Sequence, residues 1–297
     1  PSRGLGDVYK RQLSSLSNNL NQTLASGERV LSLLEEEPMV EESEGEADIS
    51  FESASVEDVT FAYDEEVILK DCNINMKQGK VIGICGKSGC GKSTLLKLLM
   101  RFWDVNKGNI KISEENVKEI PTKTLRNTQS YVTQETELFH DSIANNIAIG
   151  KQGAAREEII KAAQKASIYD MIMSLPNGYD TEVGELGDTL SGGEKQRVAI
   201  GSAIASDKKL LIFDEPTSGL DYRHMLEVSD NLNHLKEMGK CLFLITHDPE
   251  LIYKCCTYLL FIQGSKVLWH RPMDGDAVSL LRAFFSHEQG NGACNAS

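Results

Sequence analysis

A glycine-rich stretch of eight residues, 86–93, constrains the fold of this chain more than any other feature. It reads Gly-Lys-Ser-Gly-Cys-Gly-Lys-Ser, which is the G-x-x-x-x-G-K-S pattern of phosphate-binding loops. An apolar run typical of a buried strand precedes it at residues 81–85, and a helical pattern follows at residues 94–100. Because the pattern requires this order of strand, loop and helix, the sequence predicts an α/β fold with a phosphate site at the turn.

The residue types in this loop match the chemistry of phosphate binding. Glycines let successive backbone N–H groups turn towards phosphate oxygens, and the helix that follows adds the positive end of its dipole. We expect the Lys92 ammonium to reach the outer phosphates and the Ser93 hydroxyl to ligate Mg²⁺. The alternative is a flexible glycine turn that binds nothing. The predicted nucleotide-binding residues here are Gly86, Lys87, Ser88, Gly89, Cys90, Gly91, Lys92, Ser93 and Thr94.

Composition argues against several classes of protein. The net charge of −13 has the opposite sign to that of most nucleic-acid-binding domains, so we expect no nucleic-acid partner. The seven cysteines lack paired spacing, which indicates a reduced, cytosolic compartment and neither a disulfide framework nor a zinc site. No uninterrupted apolar run approaches the roughly 20 residues that cross a bilayer, so we expect no transmembrane segment in this chain.

The first fifty residues divide into three segments. Residues 7–12 read as the translation of a transposon end used in sequencing libraries, so we expect residues 1–12 to be adapter-derived and the natural chain to be truncated upstream of Leu13. The alternative for this segment is a genuine polar N-terminus. Residues 13–37 carry leucines at helical spacing, which predicts a helix whose apolar stripe needs a partner. Residues 38–50 are acidic and predict a solvated linker.

Two later apolar runs, residues 209–213 and 242–246, are typical of buried parallel strands, and polar groups follow both. Asp214 and Glu215 follow the first run, at the strand end where open α/β sheets bind ligands. Asp214 fits the acidic partner of a Mg²⁺ shell, and Glu215 fits the carboxylate that polarises attacking water. His247 follows the second run and can reach a γ-phosphate, or it caps a helix or packs in the core.

A second glycine motif, Ser191-Gly192-Gly193, stands directly before a helix predicted over residues 194–205. Such a helix start is a second anion-binding geometry, and the alternative is an ordinary helix that Ser191 caps. Around these motifs the pattern predicts a β-rich segment from about residue 49, a strand at 131–133, helices over 142–175 and a closing hairpin over 258–269. The Gly- and Asn-rich composition from Ser286 onwards predicts a disordered tail.

In their order and spacing, these motifs resemble the nucleotide-binding domain of ATP-binding-cassette (ABC) transporters over residues 51–269. The resemblance implies a P-loop NTPase (RecA-like) core with an antiparallel β-subdomain and an inserted α-helical subdomain at about residues 135–190. The domain is expected at residues 51–272, before a C-terminal tail at 273–297. ATP and Mg²⁺ are the ligands that the family implies.

The resemblance also implies a role for each catalytic group. Glu215 matches the catalytic glutamate, and His247 matches the switch histidine that holds the γ-phosphate. Gln134 matches the glutamine that senses Mg²⁺ and touches the membrane domain. Catalysis is therefore expected from Glu215, His247, Lys92 and Gln134, and Mg²⁺ ligation from Ser93, Gln134 and Asp214.

Three further elements are implied to contact nucleotide or a second subunit. Ser191, Gly192 and Gly193 match the signature motif that closes over ATP held by the opposite subunit. Asp221 ends a loop, residues 218–221, that is similar to the loop crossing the dimer interface. Tyr63 stands where an aromatic side chain stacks on adenine, with plain core packing as the alternative.

Residues 181–187 resemble the T-x-V-G-E-x-G stretch that exporters place against their membrane domain, so contacts with that domain are expected near Gln134 and Glu185. The 13–37 helix resembles the cytoplasmic end of a last membrane helix. The resemblance therefore implies an ATP-hydrolysing part of an exporter-type half-transporter at the cytoplasmic face of the plasma (inner) membrane. A second nucleotide-binding domain, identical or different, is the expected dimer partner.

Two departures leave alternatives open. Residues 199–203 lack the arginine that exporters usually carry after the signature. Residues 222–225 and 246–251 are similar to the ATPases of energy-coupling-factor vitamin importers, which makes an importer ATPase the alternative. A lesser alternative is an ABC ATPase that acts as a nucleotide switch without transport. Substrate choice is expected to belong to the membrane domain.

Overall fold

The computed structural model describes residues 2–36, 40–43, 45, 47, 49–134, 136–184 and 190–292, with side chains described from residue 13 to residue 286. The chain divides into two compact units, Pro1–Glu41 and Glu42–Ser297. None of the helices in these described ranges is both long and apolar enough to cross a membrane.

The described part of the first unit contains one helix, α1 (Ser2–Leu34), which includes residues 2–12 of the segment predicted to be adapter-derived and residues 13–34 of the predicted helix. Its helical end at Leu34 precedes the predicted end, residue 37, which lies outside the described residues. The leucines of the predicted stripe are between 55% and 76% exposed; they are Leu13, Leu16, Leu20, Leu24, Leu31 and Leu34. The apolar stripe is therefore present and uncovered.

The second unit alternates strands and helices along the chain. Its strands are β1 (Ser53–Tyr63), β2 (Glu66–Lys77), β3 (Val81–Cys85), β4 (Lys107–Ile112), β5 (Glu115–Asn116), β6 (Gln129–Val132), β7 (Leu210–Asp214), β8 (Cys241–Ile245), β9 (Tyr258–Gln263) and β10 (Lys266–Pro272). Its helices are α2 (Lys92–Leu99), α3 (Thr122–Thr128), α4 (Ile143–Ala148), α5 (Arg156–Lys165), α6 (Tyr169–Ser174), α7 (Gly192–Ala205), α8 (Tyr222–Glu237), α9 (Pro249–Cys255) and α10 (Gly275–Gly292).

The larger sheet has six strands in the order β10-β9-β3-β8-β7-β6. Strands β9, β3, β8, β7 and β6 run parallel, and β10 closes one edge antiparallel to β9. Every residue of β3, β7 and β8 is buried. Their continuous apolar sequences follow from this position, because helices or sheets cover both faces of a central parallel strand.

A second, antiparallel sheet has four strands in the order β2-β1-β4-β5. Its apolar face packs with α2 onto one face of the larger sheet, where Val56, Leu95, Ile82 and Phe243 belong to one core cluster. Neighbouring strand residues such as Leu242 belong to the cluster on the opposite face. This alternation is the period of two that a β-strand imposes, and it gives the unit two cores.

Helices α4, α5 and α6 form the inserted helical subdomain, and α7 packs against α4 and α5. Ser142 caps α4 by accepting a hydrogen bond from the Asn145 amide and also bridges to Glu182. The predicted fold class is confirmed: a parallel α/β core carries an antiparallel β-subdomain and a helical insertion. The domain boundaries given by the sequence remain predictions.

Four helices of the second unit, α3, α8, α9 and α10, are absent from the sequence-based prediction. Helix α10 continues to Gly292, beyond Ser286, where the sequence predicted the start of a disordered tail. Its inner face supplies a reason: Ala277 and Leu281 are buried, and the Phe284 ring contacts Phe261 at a centroid distance of 5.1 Å. Burial of these apolar groups stabilises a helix that composition alone does not favour.

Candidate functional site

The glycine-rich loop is shaped by glycines at two positions where no other residue fits. Gly86 has a φ of 150°, and a Cβ placed on it would lie 2.3 Å from the Ile262 carbonyl oxygen. Gly91 has a φ of 102°, and its Cβ would lie 2.8 Å from the Leu69 side chain. Both backbone conformations are ones that side-chain-bearing residues rarely adopt. The loop therefore curls tightly between β3 and α2.

Lys92 begins helix α2 and turns its side chain back into the loop. Its Nζ donates hydrogen bonds to the Gly86 carbonyl at 2.8 Å and to the Lys87 carbonyl at 3.0 Å. No side chain caps the start of α2, so its first N–H groups and its positive dipole end stay available to an anion. The result is a buried ammonium beside a helix N-terminus.

A pocket of about 240 Å³ opens above this loop, at the carboxyl ends of the parallel strands. The structure brings together there most of the residues predicted from the sequence: Ser88, Gly89, Gly91, Lys92, Ser93, Thr94, Gln134, Asp214, Glu215 and His247. Two apolar side chains, Ile68 and Ile245, complete the wall. The Lys92 ammonium on the loop side thus faces the carboxylates of Asp214 and Glu215 at the end of strand β7.

Tyr131 contacts this site through Asp214 and belongs to none of the motifs found in the sequence. Its hydroxyl donates a hydrogen bond to Asp214 Oδ2 at 3.0 Å. Burial, together with the negative charge of Asp214, raises the pKa of Tyr131 far above its ordinary value. The phenol therefore remains a protonated donor at physiological pH. Asp214 itself is buried at the end of β7.

Glu215 occupies a left-handed backbone conformation with a φ of 52°. Its Oε2 accepts a hydrogen bond from the His247 amide at 3.2 Å, and its Oε1 lies 3.4 Å from His247 Nε2. Oε1 is buried and accepts no hydrogen bond within the described residues. Burial raises the pKa of Glu215, and the charge of His247 opposes this shift. A buried carboxylate oxygen with spare capacity can accept a proton or orient water.

The second glycine motif lies outside this pocket. Ser191 caps helix α7 and forms a capping box with Glu194: its hydroxyl donates to Glu194 Oε2 at 2.7 Å, and its amide donates to the same oxygen at 2.8 Å. A Cβ on Gly193 would lie 2.5 Å from Leu220 Cδ2, whereas a Cβ on Gly192 would meet nothing within 4 Å. Packing within the chain thus crowds position 193, where the Leu220 side chain would have to move to admit a Cβ, and leaves position 192 open.

Other predicted residues also lie elsewhere in the structure. Asp221 caps α8, where the His224 amide donates to its Oδ1 at 2.9 Å, and this bond lowers the pKa of Asp221. Tyr63 ends β1 in an aromatic group, with its ring centroid 4.8 Å from Phe61 and 5.3 Å from Trp103. Gly86, Lys87 and Cys90 shape the loop beside the pocket without lining it. Burial raises the pKa of the Cys90 thiol, which favours its neutral form.

The donor set suits a hard divalent cation. Ser93, Gln134 and Asp214 present hydroxyl, amide and carboxylate oxygens to one pocket, and Mg²⁺ prefers oxygen ligands of these types. The expected membrane-domain contact at Glu185 lies outside the described residues.

In the parallel sheet, a glycine loop joins a buried strand to a helix, and carboxylates stand at the end of β7, two strands away. This arrangement defines a P-loop NTPase.

Comparison with known proteins gives the family. A family model described as ABC transporter matches residues 69–218, and the chain belongs to the ABC transporter family. It is 48% identical over 244 residues to a probable ABC transporter ATP-binding/permease protein of Haemophilus influenzae, an alignment that covers 82% of this chain and 44% of that protein. It is 36% identical over 259 residues to an ATP-dependent lipid A-core flippase of Syntrophus aciditrophicus, covering 86% of this chain and 43% of the flippase.

The fold is also similar to a solved structure, that of a bacterial Atm1-family ABC exporter with ATP bound. The TM-score is 0.81 at 31% sequence identity, and the match covers 96% of this chain and 50% of the exporter chain. The family resemblance predicted from the motifs is therefore confirmed, and the α/β unit is an ATP-binding domain. The chain spans less than half the length of the two sequence relatives.

Proposed function

We propose that this chain is the ATP-hydrolysing domain of an exporter-type ABC transporter. Two such domains bind two ATP molecules between the phosphate loop of one and the Ser191–Gly193 motif of the other. Closure of this dimer and hydrolysis drive a membrane domain through its transport cycle.

One observation supports this proposal: the phosphate-loop pocket and the Ser191–Gly193 motif, which are the two proposed halves of a nucleotide site, do not meet within the chain. The pocket gathers Lys92, Asp214, Glu215 and His247, whereas Ser191 caps α7 outside it. Gly192 leaves open space in front of α7 that nothing in the described part of this chain fills. A second copy, or a related domain, supplies the missing half in a head-to-tail dimer.

The proposed chemistry assigns one task to each group. Lys92 neutralises charge on the outer phosphates, and His247 donates to the γ-phosphate. Glu215 Oε1, buried and without a hydrogen-bond donor in the described residues, orients the attacking water. Ser93, Gln134 and Asp214 would hold Mg²⁺, which would supply charge neutralisation to the bound phosphates.

The proposed partner is a membrane domain at the cytoplasmic face of the plasma (inner) membrane. Gln134 lies at the pocket rim and, with the neighbourhood of Glu185, forms the proposed contact with that domain. The uncovered leucine stripe of α1 fits the cytoplasmic end of a membrane helix. Two similar proteins favour export over import. The similar solved structure is that of an ABC exporter, and the similar protein of Haemophilus influenzae is named a probable ABC transporter ATP-binding/permease protein.

The test is the substitution Glu215→Gln. It removes the carboxylate but keeps side-chain size, so ATP binding by equilibrium dialysis should be retained, while turnover should fall by about 10²–10⁴-fold. The slow variant should also accumulate an ATP-bound dimer in size-exclusion chromatography. Glu250→Gln, an exposed change of the same kind on α9, is the matched control and should behave as wild type. Wild-type turnover in Glu215→Gln would refute the role of Glu215, and no retention of Mg·ATP by folded wild-type protein would refute the nucleotide site.

A further inference from the structure

We infer that the Tyr131 hydroxyl is a positioning group that orients the Asp214 carboxylate for the metal that accompanies ATP. This inference rests on the proposed function. Its direct observation is the 3.0 Å hydrogen bond from the phenol to Asp214 Oδ2. In the described part of the chain, no other side chain donates a hydrogen bond to that carboxylate.

The sheet register fixes both partners of this bond. Strands β6 and β7 are parallel neighbours, with Tyr131 paired to Ile212, two residues before Asp214. Asp214 is the last residue of its strand, so its side chain stands at the strand end where the pocket opens. The long tyrosine side chain on β6 spans this two-residue offset, so its hydroxyl reaches the carboxylate.

The tyrosine ring is held by packing that does not involve the pocket. Its centroid lies 6.3 Å from that of Phe102, with a tilted geometry, and the Arg126 guanidinium lies 5.1 Å from the Phe102 centroid. Arg126 in turn donates a hydrogen bond to the Met100 carbonyl. Because this packing restrains the ring, the phenol hydrogen points at one carboxylate oxygen and limits rotation of the carboxylate plane.

This arrangement gives the two carboxylate oxygens of Asp214 different roles. Oδ2 is engaged by the phenol, so the remaining lone pairs of the carboxylate are the ones presented to a cation or to its water shell. A hydrogen bond to an ionised acceptor is among the stronger ones in proteins, which makes it suited to fixing a ligand direction. Nucleotide contacts of Lys92 and the glycine loop do not depend on it.

The discriminating variant is Tyr131→Phe, which keeps the ring and its packing against Phe102 and removes one hydroxyl. Tyr179→Phe is the matched control, because the Tyr179 hydroxyl is buried without a hydrogen-bond partner in the described residues and lies outside the pocket. Affinity for a fluorescent ATP analogue is measured for each protein with excess Mg²⁺ and with EDTA. The ratio of the two dissociation constants is the gain in affinity due to the metal.

In EDTA, the dissociation constant of Tyr131→Phe for the analogue should lie within twofold of the wild-type value. The gain in affinity due to the metal should be about five- to tenfold smaller than in wild type, because one hydrogen bond to a charged group is missing. Tyr179→Phe should keep the wild-type ratio. An unchanged ratio in Tyr131→Phe would overturn the inference while the nucleotide site stands. An equal loss in Mg²⁺ and EDTA would also overturn it, because that pattern indicates a purely structural role. If wild-type protein binds no analogue in either condition, both this inference and the proposed function fail.

Discussion

Substitution of Gly192 by alanine separates the packing of the signature motif from its proposed role at a dimer interface. Gly192 is the first residue of α7, and a Cβ there would meet nothing within 4 Å in this chain. Its φ is not positive, so alanine adopts the same backbone without strain. Replacement of glycine at such a position stabilises by about 0.4–1 kcal/mol, chiefly by restricting the unfolded chain. Gly192→Ala should therefore unfold at slightly higher urea concentration than wild type.

The same methyl group should be harmful to turnover. In the proposed dimer the start of α7 lies against the phosphates of the partner's ATP, and an added Cβ displaces this backbone by about 1 Å or more. Misplacement of that size can cost about 10²-fold in rate. ATP turnover is measured by phosphate release, and dimer formation by size-exclusion chromatography in a Glu215→Gln background.

The matched control is Gly275→Ala. Gly275 is the first residue of helix α10, and a Cβ there also meets nothing within 4 Å. It should share the small gain in stability and keep wild-type turnover. If Gly192→Ala hydrolyses ATP at the wild-type rate and dimerises normally, no nucleotide closes against the start of α7 and the proposed dimer geometry is wrong.

Three further predictions follow from contacts in the second unit. Gly86→Ala places a Cβ 2.3 Å from the Ile262 carbonyl at a φ of 150°, so the free energy of unfolding should fall by about 2–5 kcal/mol in urea titrations. A hydrogen bond from buried Lys240 lowers the pKa of Asp207, so this pair stabilises the fold at pH values above the ordinary value of 3.8 and loses that effect as the pH falls through the lowered pKa. Because Asp207 is largely exposed, Asp207→Asn should reduce the free energy of unfolding by less than about 1 kcal/mol at pH 7, and the cost should shrink as the pH falls below 3.8. Chelation of Mg²⁺ by EDTA should abolish ATP turnover, and readdition of Mg²⁺ should restore it. Added Mg²⁺ should not restore the turnover of Lys92→Ala.

The sequence predicted well the elements whose pattern is set by local chemistry. Strand β3, the glycine loop and helix α2 follow from the motif, and β7 and β8 follow from continuous apolar runs in a buried sheet. The β-rich segment predicted from about residue 49 did not reveal the course of strand β2. In the structure Asp71 has a φ of 48° at an irregularity in the pairing with β1, so the strand passes through a bulge that the pattern does not show.

The parts of the site that the sequence did not predict depend on neighbours far along the chain. Tyr131 and Asp214 are 83 positions apart, and their hydrogen bond exists because β6 pairs with β7 in one particular register. Helix α8 has a polar exposed side and a partly polar buried side, including Ser229 and Asn231, which weakens the apolar periodicity that would reveal it. Such features require the three-dimensional pairing before they can be recognised.

The conformation of Glu215 shows how the fold couples the two motifs within one chain. Its amide donates to the Ile245 carbonyl at 2.9 Å, and its own carbonyl accepts from Gln196 Nε2 at 3.1 Å, so the backbone of Glu215 is held at both its N–H and its carbonyl, at a φ of 52°. A non-glycine residue rarely adopts that φ unless its surroundings impose it. Because Gln196 belongs to α7, displacement of this helix acts directly on the backbone of Glu215, whose side chain is the proposed catalytic carboxylate. In the proposed dimer, closure of a partner against Ser191 would therefore act on Glu215 through this hydrogen bond within the same subunit, and not through the nucleotide alone.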